Sequence, residues 1–157
     1  MAPPPPGCRA LAGLFDQHGD VHEGHHPMAT TAFSRSPYGP HIEQVVIEYG
    51  EERAASAAVA DVREAPRTCP RLTLPRAGAT SYDVAARRIA PLGDEAAALT
   101  LHARGADFAT VGTDIAAVRA GTVVTVVRFS TVTRSAGERG HLGRAARAAV
   151  ARIASGD

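Results

Sequence analysis

The 157-residue chain contains no Lys, no Asn and no Trp, and aromatic residues make up only 4% of it. The hydrophobic 45% is mostly Ala and Val. Each buried side chain therefore removes little area from water, and at about 25 cal/mol per Å² we expect only moderate stability. All 17 basic residues are Arg, against 16 acidic residues, which leaves a net charge of +1. This balance argues against a nucleic-acid partner, which would need a basic stripe.

Long apolar runs are also missing from the chain. No stretch of about 18 apolar residues occurs, so we expect no membrane span. The start, MAPPPPGCRA, lacks the basic and apolar regions of a signal peptide. The Pro-rich residues 1–6 are predicted to be a disordered lead-in, and residues 7–157 are long enough for one domain with a single core.

The most informative stretch runs from Gly93 to Val132 and predicts three successive strands. In the first strand two sets of side chains alternate, Ala97, Leu99, Leu101 and Ala103 against Thr100, His102 and Arg104. Alternate residues of a strand point to opposite faces, so one set is expected in the core. The last strand, Thr122–Val132, is apolar on both faces, which is typical of the middle of a sheet.

The rest of the sequence predicts what covers and closes this sheet. His41–Tyr49 alternates like a strand, Glu51–Glu64 has the period of a helix that ends at Pro66, and His141–Ala154 predicts a closing helix. Three shorter or less regular candidate strands are Thr31–Arg35, Arg71–Leu74 and Ser81–Ile89. We therefore predict an α+β fold, with an antiparallel sheet of about five to six strands flanked by the Ala-rich helix and the C-terminal helix.

A cluster of histidines and carboxylates is the sharpest local feature. The cluster comprises His18, Asp20, His22, Glu23, His25 and His26. It lies in residues 16–30, which have no apolar period and are predicted to form a polar loop. Imidazoles and carboxylates on a loop can gather a zinc or copper ion. The spacing fits no helix-borne metal motif, so the favoured interpretation is a solvated loop, and we expect no cofactor.

A catalytic site is a second possibility. No nucleophile-elbow sequence G-x-S-x-G is present. His102, on a central strand beside Asp83 or Asp114, is the natural candidate for general acid–base chemistry. A lone His among apolar neighbours is more often a structural residue, which is the favoured alternative.

The two cysteines, Cys8 and Cys69, are about 60 residues apart. A disulfide that closes such a loop contributes about 4 kcal/mol in the chain-entropy model. The residues alone do not decide between this disulfide and two reduced, buried thiols.

The order of several short stretches resembles a known family. These stretches are Gly7-Cys8, the strand Ile42–Tyr49, an Ala-rich helix that ends in Cys69-Pro70, the turn Gly93-Asp94-Glu95, the segment Val118–Val124 and the final Ala/Arg-rich helix. Together they resemble the extracytoplasmic sensor-type domains of actinobacterial proteins. Such domains occur as lipoproteins and as the outer domains of transmembrane Ser/Thr kinases of the PknH kind.

The resemblance implies a helix-flanked antiparallel sheet with a concave cleft, and a location outside the cytoplasm or at the cell surface. It also implies a disulfide between Cys8 and Cys69, and non-enzymatic binding of an undefined small ligand or cell-envelope component. The rival class is a small cone-shaped α+β enzyme, similar to polyketide cyclases or limonene-epoxide hydrolases, with His102, Asp83 and Asp114 in its pocket. The third functional class is metal binding by the His-rich loop.

Overall fold

The computed structural model describes residues 6–13, 25–34, 40–74, 80–104, 112–131 and 140–155. This part of the chain forms three helices and seven strands. In chain order they are α1 (Pro6–Gly13), β1 (His25–Ser34), β2 (His41–Tyr49), α2 (Glu52–Thr68), β3 (Arg71–Leu74), β4 (Thr80–Arg87), β5 (Glu95–Ala103), β6 (Gly112–Ala120), β7 (Val123–Thr131) and α3 (His141–Ser155). Within these residues no helix is both long and apolar enough to span a membrane.

All seven strands belong to one antiparallel sheet in the order β1-β2-β7-β6-β5-β4-β3. The α+β class is confirmed, but the expected count of five to six strands is too low. The two weakest candidates, Thr31–Arg35 and Arg71–Leu74, belong to the two edge strands. An edge strand is paired on one side only and needs fewer apolar residues, so its sequence pattern is weak.

The prediction of a polar loop over residues 16–30 is wrong at its end. Strand β1 begins at His25, and its residues pair with β2 from His25 opposite Tyr49 to Ser34 opposite His41. The register shifts between Pro27 and Ala29. Because Pro cannot donate to the ladder, a bulge beside it is the usual accommodation in an edge strand. Residues 16–24 lie outside the described part of the chain.

One face of the sheet, which we call the α2 face, is covered by α2 and α1. The fully buried helix residues Ala55, Val59 and Val62 pack against the central strands. The strand residues in this core include Ile47, Leu99, Leu101, Ile115, Ala117, Val124 and Val126. Ala97, Leu99 and Leu101 of the predicted inward set of β5 are therefore confirmed as buried, whereas Ala103 at the end of the strand is only half-buried. Burying a side chain of the size of Val, Leu or Ile stabilises the fold by about 1.5–3 kcal/mol.

Helix α2 extends to Thr68, two residues beyond the predicted end at Pro66. Pro lacks only its own N–H donor and mainly disturbs the preceding turn, so the chain can complete a last turn after it. The Cys69 N–H donates to the Ala65 carbonyl at 2.7 Å, and the Thr68 hydroxyl donates to the Glu64 carbonyl at 3.2 Å. These bonds fix the direction in which Cys69 leaves the helix.

The opposite face, which we call the α3 face, is covered in part by α3. Leu142, Ala146 and Ala149 of this helix are buried against β6 and β7. The strand side of the contact is made by Val118, Val127 and Phe129. The His141 ring meets the Phe129 ring edge-on at 5.5 Å. Helix α3 thus lies over one part of the sheet and leaves β4 to its side.

The turn Gly93-Asp94-Glu95 ties three elements together. Gly93 has φ 58°, and a Cβ there would lie 2.2 Å from the Arg119 carbonyl oxygen, so only glycine fits. The Asp94 carboxylate accepts the Gly121 N–H at 2.7 Å. The Glu95 carboxylate accepts the Ser56 hydroxyl at 2.7 Å and Arg119 Nε at 3.0 Å. This turn joins α2 and the β6–β7 connection to the start of β5, which is a structural role.

These contacts give the stability a dependence on acid pH. The hydroxyl of Ser56 lowers the pKa of Glu95 from its ordinary 4.5; partial burial opposes the shift, and Arg119 and Arg63 add to it. A lowered pKa stabilises the folded state above about pH 4.5, and the contribution is lost as the pH falls through the folded value. We expect Glu95→Gln to be less stable at neutral pH and to lose less stability on acidification.

The measurement for Glu95→Gln is urea unfolding at a series of pH values. The control is Glu48→Gln, which removes an exposed carboxylate on β2. If both variants lose stability with the same acid slope as the wild type, the Ser56–Glu95–Arg119 contacts do not stabilise the ionised carboxylate.

Candidate functional site

Polar side chains gather on the α3 face beside the area that α3 covers. We call this set the polar face: Asp83 and Arg87 of β4, Thr100 and His102 of β5, and Asp114 of β6. The register places Asp83 directly opposite His102, and Thr100 directly opposite Asp114. Directly opposite residues of antiparallel strands point to the same side of the sheet. All five side chains therefore share one face of three neighbouring strands.

The inner part of the polar face is a buried hydrogen-bonded group. Asp114 is 7% exposed, and its carboxylate accepts Arg87 Nη1 at 2.5 Å and the Thr100 hydroxyl at 2.6 Å. Arg87 reaches across β5, where its register partner is the small Ala98. A longer side chain at that position would block the guanidinium. The negative charge of Asp114 is thus paired and hydrogen-bonded, as burial requires.

The outer part of the polar face, around Asp83, is bordered by two exposed arginines, Arg71 of β3 and Arg104 directly after β5. Asp83 forms ion pairs with both arginines: Arg104 Nε lies 3.0 Å from one carboxylate oxygen, and Arg71 Nε lies 3.9 Å from the other. The three side chains are 49%, 50% and 62% exposed respectively. His102 stands between this exposed group and the buried one. Two arginines against one carboxylate leave an excess of positive charge at the surface.

The three residues predicted as an alternative pocket are brought onto one face. His102 faces Asp83 across the β4–β5 pair, and Asp114 lies on the next strand, one pair further along. Both carboxylates are paired with arginine: Asp114 accepts a hydrogen bond from Arg87, and Asp83 forms an ion pair with Arg104. This geometry positions His102 among charged groups, while a catalytic role for it stays a prediction.

Arg71, Arg87, Thr100 and Arg104 were not among the site residues predicted from the sequence. The alternation of β5 already placed Thr100, His102 and Arg104 on one face. The missing signal was the phase of β4, whose stretch Ser81–Ile89 does not alternate cleanly. With that phase known, Asp83 and Arg87 are two positions of the same face, where Asp83 contacts Arg104 and Arg87 contacts Asp114.

The structure describes only two residues of the predicted metal cluster. His18, Asp20, His22 and Glu23 lie outside them, and His25 and His26 are the first two residues of β1. Within residues 6–13, 25–34, 40–74, 80–104, 112–131 and 140–155, no group of three or more His, Cys, Asp or Glu residues is placed to hold a metal ion. Metal binding by the whole cluster stays a prediction.

The two cysteines form a disulfide. The Cα atoms of Cys8 and Cys69 are 4.9 Å apart, and both residues are buried, at 4% and 0% exposed. The bond joins α1 to the residue that follows α2. The pairing implied by the family resemblance is therefore the one found, and reduced thiols are excluded in this structure.

Comparisons with known proteins agree with this architecture. No protein-family model matches the chain, and no curated protein matches it in sequence. Among solved structures, the extracellular domain of PknH from Mycobacterium tuberculosis superposes with a TM-score of 0.63 at 16% identity, over 94% of this chain and 75% of that chain. CalU16 from Micromonospora echinospora covers 85% of each chain at 14% identity, with a TM-score of only 0.29. The resemblance predicted from the short stretches is confirmed at the level of the fold: the chain has the fold of the extracellular domain of PknH.

Proposed function

We propose that this chain is a non-catalytic, extracytoplasmic ligand-binding domain of the sensor type. The observation that carries the proposal is the fold it shares, over 94% of its length, with an extracellular domain. The buried Cys8–Cys69 disulfide supports the same compartment, because disulfides form and persist in oxidising environments.

The polar face is the surface we assign to the ligand. It lies on the sheet beside α3, so the strands form its base and α3 borders it on one side. The Arg87–Asp114 pair holds its inner part in place. The outer arginines, Arg71 and Arg104, carry more positive charge than Asp83 neutralises. Arg presents a planar set of donors that suits carboxylates and phosphates. The ligand class that fits is therefore a small acidic molecule, either free or part of the cell envelope.

The test is a binding screen with Arg104→Gln as the informative variant. Citrate, sugar phosphates and acidic cell-wall glycopeptides are titrated while the thermal midpoint is followed, since a ligand that binds only the folded state raises it. We expect an acidic compound to raise the midpoint of the wild type, with about tenfold weaker binding when one charge-assisted contact, worth roughly 1.5 kcal/mol, is removed.

The matched control is Arg147→Gln, which removes an exposed arginine from α3 without touching the polar face. Equal weakening by Arg104→Gln and Arg147→Gln would mean that the ligand responds to overall charge only. The absence of any stabilising acidic compound would count against the assignment of the polar face.

The enzyme alternative retains one supporting observation, the position of His102 directly opposite Asp83. General acid–base chemistry needs such a titratable group within reach of a substrate proton. An enzyme would lose turnover in His102→Ala while ligand binding persisted. A binding domain would show no turnover of the bound compound in either protein, and this difference separates the two functions.

A further inference from the structure

The outer edge of β1 is open in the described part of the chain. Strand β1 is the first strand of the sheet, and β2 is its only partner there. At ten residues it is long for an edge strand, whereas the opposite edge strand, β3, has four. An edge strand presents a row of unpaired N–H and C=O groups to which another strand can add.

From Ala29 to Phe33 the residues along this edge carry none of the usual protection. Ala29, Thr30, Thr31, Ala32 and Phe33 are all exposed, and the ten residues of β1 include no Asp, Glu or Arg. Edge strands are normally guarded by charges, prolines or bulges. Here Pro27 and the bulge next to it interrupt only the beginning of the strand.

Phe33 adds an apolar contact to the open edge. It is 62% exposed, and among the residues whose exposure the structure describes it is the one large hydrophobic side chain that is exposed. Its register partner in β2 is Ile42, which packs with the α3-face core. Phe33 therefore extends the apolar surface of that face outward to the edge of the sheet.

We propose that two copies of this chain associate through β1, in antiparallel pairing that joins their seven-stranded sheets into one. A two-fold axis normal to the sheet, passing beside Thr31, keeps the α3 face of both copies on the same side. It places Thr31 opposite Thr31 of the second copy, Thr30 opposite Ala32, and Ala29 opposite Phe33. No like charges meet, a small residue faces each large one, and Thr–Thr is a favourable cross-strand pair.

The second copy is favoured over an open chain of copies. Pairing of β1 with β3 of another copy would be heterologous and would propagate into a filament. Strand β3 is too short for this, it follows Pro70, and its exposed Arg71 is engaged with Asp83. Pairing of β1 with β1 of a second copy is closed, because each copy then covers the open β1 edge of the other.

The experiment measures association as a function of protein concentration by sedimentation equilibrium. We expect a reversible monomer–dimer equilibrium in the wild type, and a monomer at every concentration for Thr31→Arg, which sets two like charges against each other at the axis. Phe33→Ala is expected to weaken the dimer about tenfold, because it removes two symmetry-related apolar contacts, one from each copy. The matched control is Thr73→Arg, at an exposed position of the opposite edge strand, which should dimerise as the wild type does.

Two further readings complete the test. The urea midpoint of monomeric Thr31→Arg should equal that of the wild type at low concentration, which shows that the variant is folded. Hydrogen exchange of the outward amides of residues 29–33 should slow as wild-type concentration rises. A wild type that is monomeric at all concentrations would overturn the proposal, and a strand of another protein would then be the candidate partner of this edge. Equal loss of association in Thr31→Arg and Thr73→Arg, or larger assemblies in place of a dimer, would overturn it as well.

Discussion

Replacing both Cys8 and Cys69 by Ser is expected to lower the free energy of unfolding by about 4 kcal/mol relative to the oxidised protein. The bond closes a loop of 61 residues, and cross-linking such a loop removes conformational freedom mainly from the unfolded chain. This is a large share of the total, because a domain has a stability of only about 5–15 kcal/mol and this core is built from small side chains.

Urea unfolding with and without reductant measures this effect. The oxidised wild type should unfold at a clearly higher urea concentration than the reduced wild type, and the double Ser variant should match the reduced protein. The variant itself is the control for the reductant, since reductant should leave its midpoint unchanged. Equal midpoints for oxidised and reduced wild type would show that the unfolded chain is not constrained by the bond.

Asp114→Asn and Arg87→Gln are each expected to lower the free energy of unfolding by about 3–5 kcal/mol. The two side chains are only 11% and 22% exposed, so removal of one leaves the charge of the other in a poorly solvated place. Thr100 adds to the cost for Asp114, since its hydroxyl donates to that carboxylate. Replacement of both by apolar residues of similar volume, Asp114→Leu with Arg87→Met, should cost less than either single change.

A double-mutant cycle measured by urea unfolding checks the coupling. The control cycle uses Glu64 and Arg67, an ion pair of α2 whose side chains are 50% and 77% exposed, with a distance of 2.7 Å between the charged atoms. Solvated pairs of this kind contribute about 0.2–1 kcal/mol. If the Arg87–Asp114 cycle gives a coupling energy as small as that of the helix pair, the inner part of the polar face is solvated, and the ion pair does not hold the two side chains in place.

The local pattern of the central strands was enough to predict their faces. Strand β5 alternates and β7 runs apolar over nine residues each, and Ala97, Leu99 and Leu101 lie in the α2-face core. Ala98 and Thr100, on the other face of β5, are buried as well, which alternation alone does not predict. Arg128 is also unexpected, because it is buried in β7 opposite Glu43 of β2, where the two side chains form an ion pair. Such a pair joins residues far apart in sequence, and neither strand alone reveals it.

The candidate site was predictable only in part. His102, Thr100 and Arg104 share a face by simple alternation, and this could be read from one strand. Asp114 required the register of β5 with β6, and Arg87 required contact across an intervening strand with a residue 27 positions away. Edge strands were harder still to predict, because the structure of β1 depends on backbone pairing with β2 more than on its own side chains.

The disulfide also makes residues 8–69 a covalent ring that includes β1, β2 and α2. A single broken peptide bond between Cys8 and Cys69 leaves both fragments joined through sulfur, so they separate only after reduction. A break after Cys69 has no such tether. A protease cut in the segment that bears the open strand edge therefore leaves one covalent molecule, whereas a cut in the segment that carries β4, β5 and the polar face leaves two chains held together by non-covalent contacts alone.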